Sequence, residues 1–169
     1  MLLVRTLRLL TSRLDDASLE RQLGPFVLVE RPFEVQGKGI PQATQPLDRL
    51  VRGAAVDEFD ELEVVTLPPV SQGDRFVVGR SPDCEVVLDE ATVSGRHALL
   101  EWDGAAAWLT DLGSSNGTWV NGARLPGRMR LADRDALDFG RAKVHFLLVG
   151  TLRERLRRGN RQLGNLPIR

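Results

Sequence analysis

An all-β sandwich is the fold this sequence predicts, and three observations predict it. Between residues 60 and 149, short apolar runs recur at close spacing: Leu62–Leu67, Arg75–Val78, Glu85–Leu88, His97–Trp102, Ala107–Leu112, Thr118–Val120, Ala136–Phe139 and Lys143–Val149. Turn residues separate them. Asp103-Gly104 and Asn121-Gly122 both read as two-residue hairpin turns, because these residues tolerate positive φ. Regular short strands joined in this way form an antiparallel sandwich or barrel.

The remaining elements follow in order. Leu3, Leu7, Leu10 and Leu14 form an i, i+4, i+7, i+11 stripe that predicts an amphipathic helix. A second short helix is expected from Ala17 to Leu23, with Asp16 as its cap and Gly24-Pro25 as its stop. Phe26-Val27-Leu28-Val29 reads as a strand or an apolar docking segment, ended by Pro32. From Gly37 to about Val56, glycines and prolines stand among polar residues without periodicity, which predicts a linker. After the sandwich, Thr151-Leu152-Arg153-Glu154 has the form of a capping box, and Gly159 supplies a stop for one short helix. The expected organisation is a helical N-terminal segment with a short strand over residues 1–36, a linker over 37–59, the sandwich over 60–149 and a basic C-terminal helix or tail over 150–169.

Composition narrows the function classes. The chain has 169 residues and equal numbers of basic and acidic side chains, 23 each. That balance argues against a globally basic nucleic-acid binder, and no nucleic-acid partner is expected. The neutral total hides an acidic body: residues 60–149 carry nine basic and fourteen acidic side chains, whereas residues 150–169 carry six arginines and one glutamate. With 42% apolar residues there is enough material for a core. Cys84 is the only cysteine and His97 and His145 the only histidines, too few for a Cys/His metal cage, so neither a metal nor another cofactor is expected. No apolar run approaches the roughly 18 residues of a membrane span, and Arg5 and Arg8 interrupt the start, so the expected location is the cytoplasm.

Some patterns mislead. Asp138-Phe139-Gly140 matches a kinase metal-binding triplet, but the glycine-rich loop and lysine strand of a kinase are missing. Gly37-Lys38-Gly39 lacks the third glycine of a dinucleotide loop. No nucleophile stands at a telling spacing from either histidine, so an enzyme is not expected and no catalytic residue is assigned.

Four segments carry more than generic turn chemistry: Gly79-Arg80-Ser81, Val93-Ser94-Gly95-Arg96-His97, Ser114-Ser115-Asn116-Gly117-Thr118 and Asn121-Gly122. Each follows or separates predicted strands and so belongs to a loop at an end of the sandwich. A guanidinium holds two phosphate oxygens at once and a serine hydroxyl donates a further bond. An asparagine amide, donor and acceptor together, suits a peptide backbone. Turn chemistry alone also accounts for Asn116 and Asn121, since each precedes glycine.

Over about residues 60–149, these segments, in this order, resemble the forkhead-associated (FHA) family of phosphothreonine-binding modules. The resemblance implies an eleven-stranded antiparallel β-sandwich whose loops at one end hold a phosphopeptide. It implies that Arg80 contacts the phosphate, that Ser94 bonds a phosphate oxygen, that Ser115 lines the site and that Asn116 bonds the peptide backbone. Gly79, His97, Gly117 and Asn121 are implied as loop scaffold. One position departs from the family: Gly95 stands where a basic residue often reaches the phosphate, and Arg96 is displaced by one. On a strand-like backbone that displacement turns Arg96 to the other side. A missing charge-assisted bond is worth roughly 1.5–3 kcal/mol.

The implied function is an adaptor that reads threonine phosphorylation in kinase signalling or regulated assembly. Its partners would be a threonine-phosphorylated protein or peptide and an upstream Ser/Thr kinase. A phosphate-independent scaffold using the sandwich and its flanking helices is the alternative. Thr44, in the expected linker, is a candidate phosphosite: the sandwich begins some sixteen positions further on, and a flexible tether of that length reaches about 20–24 Å root-mean-square. Phosphorylated there, it would occupy the site in cis.

Overall fold

The structure is a computed structural model that describes residues 2–4, 7, 16–30, 62–65, 67 and 73–163. The expected linker, with Thr44, and the stripe positions Leu10 and Leu14 lie outside the described residues.

The predicted sandwich forms. Its elements run β1 (Leu2–Leu3), α1 (Asp16–Leu23), β2 (Phe26–Glu30), β3 (Glu63–Val65), β4 (Arg75–Gly79), β5 (Val86–Val87), β6 (Ala98–Trp102), β7 (Ala107–Asp111), β8 (Thr118–Val120), β9 (Ala123–Arg124), β10 (Met129–Arg130), β11 (Ala136–Phe139), β12 (Ala142–Leu148) and α2 (Val149–Leu163). A seven-stranded sheet has the order β1-β3-β2-β12-β11-β8-β9, and a five-stranded sheet the order β10-β7-β6-β4-β5. Among the described residues pairing is antiparallel except between β4 and β5, which run parallel.

The period of two decides which side chains meet. In β6, Ala98 and Leu100 are buried while Leu99 and Glu101 are half-buried; in β7, Ala107 and Leu109 play the same inward part. They join Phe26, Leu28, Phe76, Val78, Leu137, Phe139, Val144 and Phe146 in one core between the sheets. Phe26 stacks at a tilt on both Trp102 and Phe146, with centroids 5.6 and 5.1 Å apart.

The strands β2 and β12 are buried on both faces. Their alternate residues Val27, Val29 and Leu147 enter a second apolar cluster with Val4, Leu7, Leu23, Val64, Val149, Leu152 and Leu156. The C-terminal helix is therefore docked by its leucines onto the outer face of the seven-stranded sheet. Burying each leucine contributes about 1.5–3 kcal/mol.

Several local expectations need correction. Leu3 pairs with Glu63 in β1, so the leucine stripe does not begin as a helix there. Asp103-Gly104 belongs to a four-residue connection, because the Asp103 carboxylate accepts from the Ala105 and Ala106 N–H groups and from Trp108 Nε1, and folds the loop over itself. Thr151 is not a helix cap. The helix starts at Val149, and Asp133 from the β10–β11 connection accepts from Leu148 N at 2.8 Å and from Thr151 Oγ1 at 2.7 Å. Gly159 lies inside α2 rather than ending it. By contrast, Asn121-Gly122 is a two-residue hairpin as expected: φ is 51° and 80°, and Val120 faces Ala123 across it.

Candidate functional site

Gly79 closes β4, and its role is space rather than a left-handed backbone. A Cβ there would press into the Gly95 carbonyl oxygen and stand 2.9 Å from Cys84 Sγ. With no side chain, the β4 end lies flat against the loop before β6. Arg80 N donates to Ser94 O and Ser81 N to Gly95 O, both at 3.0 Å. Cys84 Sγ adds a third donor to this seam, 3.1 Å from Gly95 O. Burial pushes the Cys84 thiol up, so it stays a neutral S–H donor. The Arg80 side chain is exposed and its Nε reaches Val93 O at 3.3 Å.

His97, fully buried, joins this loop to the next. Ser94 N donates to His97 Nδ1 at 3.0 Å, which assigns the ring proton to Nε2, and Nε2 donates to Gly117 O at 3.0 Å. Burial lowers the His97 pKa, against the raising effects of the Gly117 carbonyl and the Asp111 carboxylate, so the ring is neutral near pH 7. Its edge packs on Phe139, 5.6 Å between centroids.

The loop carrying Ser115 and Asn116 is held from below by Asp111. That carboxylate accepts from Gly113 N, Ser114 N, Ser114 Oγ and Thr118 Oγ1. Burial pushes the Asp111 carboxyl up, but these four donors overcome it and hold the pKa at about 2. From above, Ser115 N donates to Ser94 Oγ at 3.0 Å, and Asn116 Nδ2 donates to Thr92 O at 2.7 Å. Ser94 Oγ thus accepts inside the protein and keeps its own proton for an outside acceptor.

Arg80, Ser94, Ser115 and Asn116 therefore meet on one exposed end of the sandwich, with Gly79, His97 and Gly117 tying their loops together. Asn121 stands apart, at the other end of β8. It bridges to Asp135 through Nδ2 and accepts from Ala136 N, which fixes the β8–β9 hairpin to β11. Arg96 has its electrostatic neighbours at Cys84 and Glu85, on the β4–β5 side.

Sequence reasoning missed three contributors. Asp111 precedes Leu112-Gly113-Ser114, an Asx-turn pattern that signals its capping role. Thr92 acts through its carbonyl and is braced by Glu90 at 2.9 and 3.0 Å, which no motif reveals. Gly140, of the misleading Asp-Phe-Gly triplet, has φ +60° and leaves room for Thr92, whose O and Oγ1 would both lie 2.7 Å from a Cβ.

This architecture and loop set define a β-sandwich recognition module. A family model described as the FHA domain matches residues 76–140. The chain is 34% identical over 122 residues to an oxoglutarate dehydrogenase inhibitor of Corynebacterium efficiens, covering 68% of this chain and 80% of that one. It is 37% identical over 82 residues to the glycogen accumulation regulator GarA of Mycolicibacterium smegmatis, covering 44% of this chain and 51% of that one. This protein belongs to the FHA family. The chain spans only about half of GarA. Among solved structures, the FHA domain of the CT664 protein from Chlamydia trachomatis superposes with a TM-score of 0.51 at 18% identity, covering 73% of this chain and 97% of that one, which supports the shared fold.

Proposed function

We propose that the protein binds threonine-phosphorylated segments of a partner through Arg80, Ser94, Ser115 and Asn116, and does no chemistry on them. The observation that carries this reading is the Arg80–Ser94 junction: the two backbones are bonded, the exposed Arg80 guanidinium reaches Val93 O on the loop that carries Ser94, and the Ser94 hydroxyl accepts from Ser115 N with its own proton unspent. A dianionic phosphate matches that pair of donors. Asn116, on the neighbouring loop, supplies an amide for the ligand backbone. Membership of the FHA family supports a phosphothreonine as the phosphate carrier, a binding module rather than an enzyme, and a Ser/Thr kinase upstream. The cytoplasm is where such a kinase and its targets meet. The relatives' names, a regulator and an enzyme inhibitor, support a regulatory adaptor. Gly95 leaves the phosphate with one cation fewer, so affinity rests mainly on Arg80.

The test is titration of phosphothreonine, phosphoserine and unmodified peptide libraries against wild type and Arg80→Ala. The reading expects binding only with phosphate, loss of at least tenfold in Arg80→Ala, and a preference for threonine, whose methyl contributes on the order of 0.8 kcal/mol when buried. Equal binding of unmodified peptides would show a phosphate-independent scaffold instead. Phosphorylated Thr44 is assigned as an intramolecular competitor for the same site. Stoichiometric phosphorylation there should weaken peptide binding, and unchanged affinity would refute that assignment.

A further inference from the structure

The Asn116 amide is oriented by a carbonyl that is itself clamped. Asn116 Nδ2 donates to Thr92 O at 2.7 Å. A carbonyl only accepts, so it decides which half of the amide faces it: Nδ2 turns toward Thr92 and Oδ1 away. The χ2 torsion of asparagine is broad and nearly two-fold, so without that contact the two halves exchange at little cost. Thr92 in turn is fixed by three bonds. Its N–H and its hydroxyl both donate to Glu90 Oε1, at 2.9 and 3.0 Å, and its Oγ1 accepts from Arg141 N at 2.7 Å. The two Thr92 donors hold the Glu90 carboxyl below the usual carboxylate range, so it stays an ionised acceptor. Gly140, in the β11–β12 turn, completes the clamp. Its φ of +60° and missing side chain let the turn abut Thr92, where a Cβ would lie 2.7 Å from both O and Oγ1. Gly140 N also donates to Gly117 O at 3.2 Å, the carbonyl that His97 Nε2 reaches. The turn between β11 and β12 thus braces the Thr92 loop and the Asn116 loop against each other.

Resting on the phosphopeptide reading above, we infer that Thr92 is a positioning residue for the grip on the ligand backbone: clamped by Glu90 and by the Gly140–Arg141 turn, it sets the Asn116 amide with Oδ1 turned away from it, as an acceptor for a peptide N–H. The donors for the phosphate are set by other bonds, from Arg80 N to Ser94 O and from Ser94 N to His97 Nδ1. The hold on charge and the hold on the ligand backbone therefore have separate supports. A fault in the brace removes the second and spares the first.

The probes are the best-binding phosphothreonine peptide of the library above and inorganic phosphate, which has no backbone to grip. Both are titrated against wild type, Thr92→Ala, Thr92→Ser, Glu90→Ala, Asn116→Ala and the double variant carrying alanine at 92 and 116, with phosphate binding read from NMR shifts of the Ser94 amide. Thr92→Ala and Glu90→Ala are expected to weaken peptide binding about fivefold, the scale of one hydrogen bond, and phosphate binding less than about twofold. Thr92→Ser keeps the hydroxyl and should bind the peptide as wild type does. In the Asn116→Ala background, Thr92→Ala should cause no further loss, because the group it positions is gone. Equal losses for peptide and phosphate would mark Thr92 as general loop support and overturn the inference. Unchanged peptide binding in Thr92→Ala, or a loss that persists in the Asn116→Ala background, would overturn it too. Each of these results leaves the phosphothreonine reading intact. Failure of wild type to bind any phosphopeptide would overturn both.

Discussion

At Gly79 and His97 single atoms decide whether the loops stand in register. A methyl at Gly79 has nowhere to go but into the Gly95 carbonyl and Cys84 Sγ. Gly79→Ala should lower stability by about 1–3 kcal/mol and weaken phosphopeptide binding as well, since the displaced loop carries Ser94. A melting curve and a peptide titration of the same variant check both effects, and wild-type values in both would contradict the packing argument. His97 and Asp111 make stability depend on pH with a common sign. For each, the folded pKa is lower than the unfolded one, so the unfolded chain takes up the proton first and stability falls as pH falls. The His97 contribution is intact above its ordinary value of 6.5 and declines below it. The Asp111 contribution is intact above 3.8 and is lost toward about 2. Urea midpoints at pH 7.5 and 5.5, with the His97 ring followed by NMR, test the first. A midpoint that rises on acidification, or a ring that titrates above 6.5, would count against it.

Among the elements, the β8–β9 hairpin is the part whose chemistry is most local. Asn121 holds φ 51° and bonds both Asp135 and Ala136. Asn121→Ala should cost about 2 kcal/mol, combining the left-handed backbone with the loss of two partly buried hydrogen bonds, as read from a shift in the denaturation midpoint. This turn was legible in the sequence because two adjacent residues suffice to specify it. The Asp103 connection was not, because its length is set by one carboxylate reaching residues two, three and five positions on. The start of α2 was misread for a related reason: the group that organises it, Asp133, is 15 and 18 residues from the atoms it accepts from. Loop motifs brought out Arg80, Ser94 and Asn116 because their side-chain types suggest a ligand. Thr92 stayed hidden because it offers only a carbonyl.

For the whole molecule, the site sits across the join of two sheets. Ser94 and His97 belong to the loop entering the five-stranded sheet, whereas Gly117 and Thr118 lead into the seven-stranded one, and the His97 Nε2 to Gly117 O bond crosses between them. A phosphopeptide held by both sides should therefore raise the melting temperature, by an amount that grows with the logarithm of ligand concentration above Kd. A ligand that binds without any thermal shift would be inconsistent with that geometry. The second apolar cluster gives another expectation. Leu152→Asp puts a charge where the side chain is fully buried, which should detach α2 and cost several kcal/mol. Retained peptide binding at low temperature in that variant would show that the helix acts on stability and not on the loops.

One pairing also sets the order in which the chain can mature. Residues Phe26–Glu30 find one of their two neighbours at Val144–Leu148, on the far side of β3 to β11 in sequence. On the ribosome, the early segment can pair with β3 soon after synthesis, but its β12 edge must wait until the strands β4 to β11 have been made. Contacts of such long sequence separation slow folding and prolong the vulnerable interval. Newly synthesised chains should then depend on holding chaperones more than mature, refolded protein does.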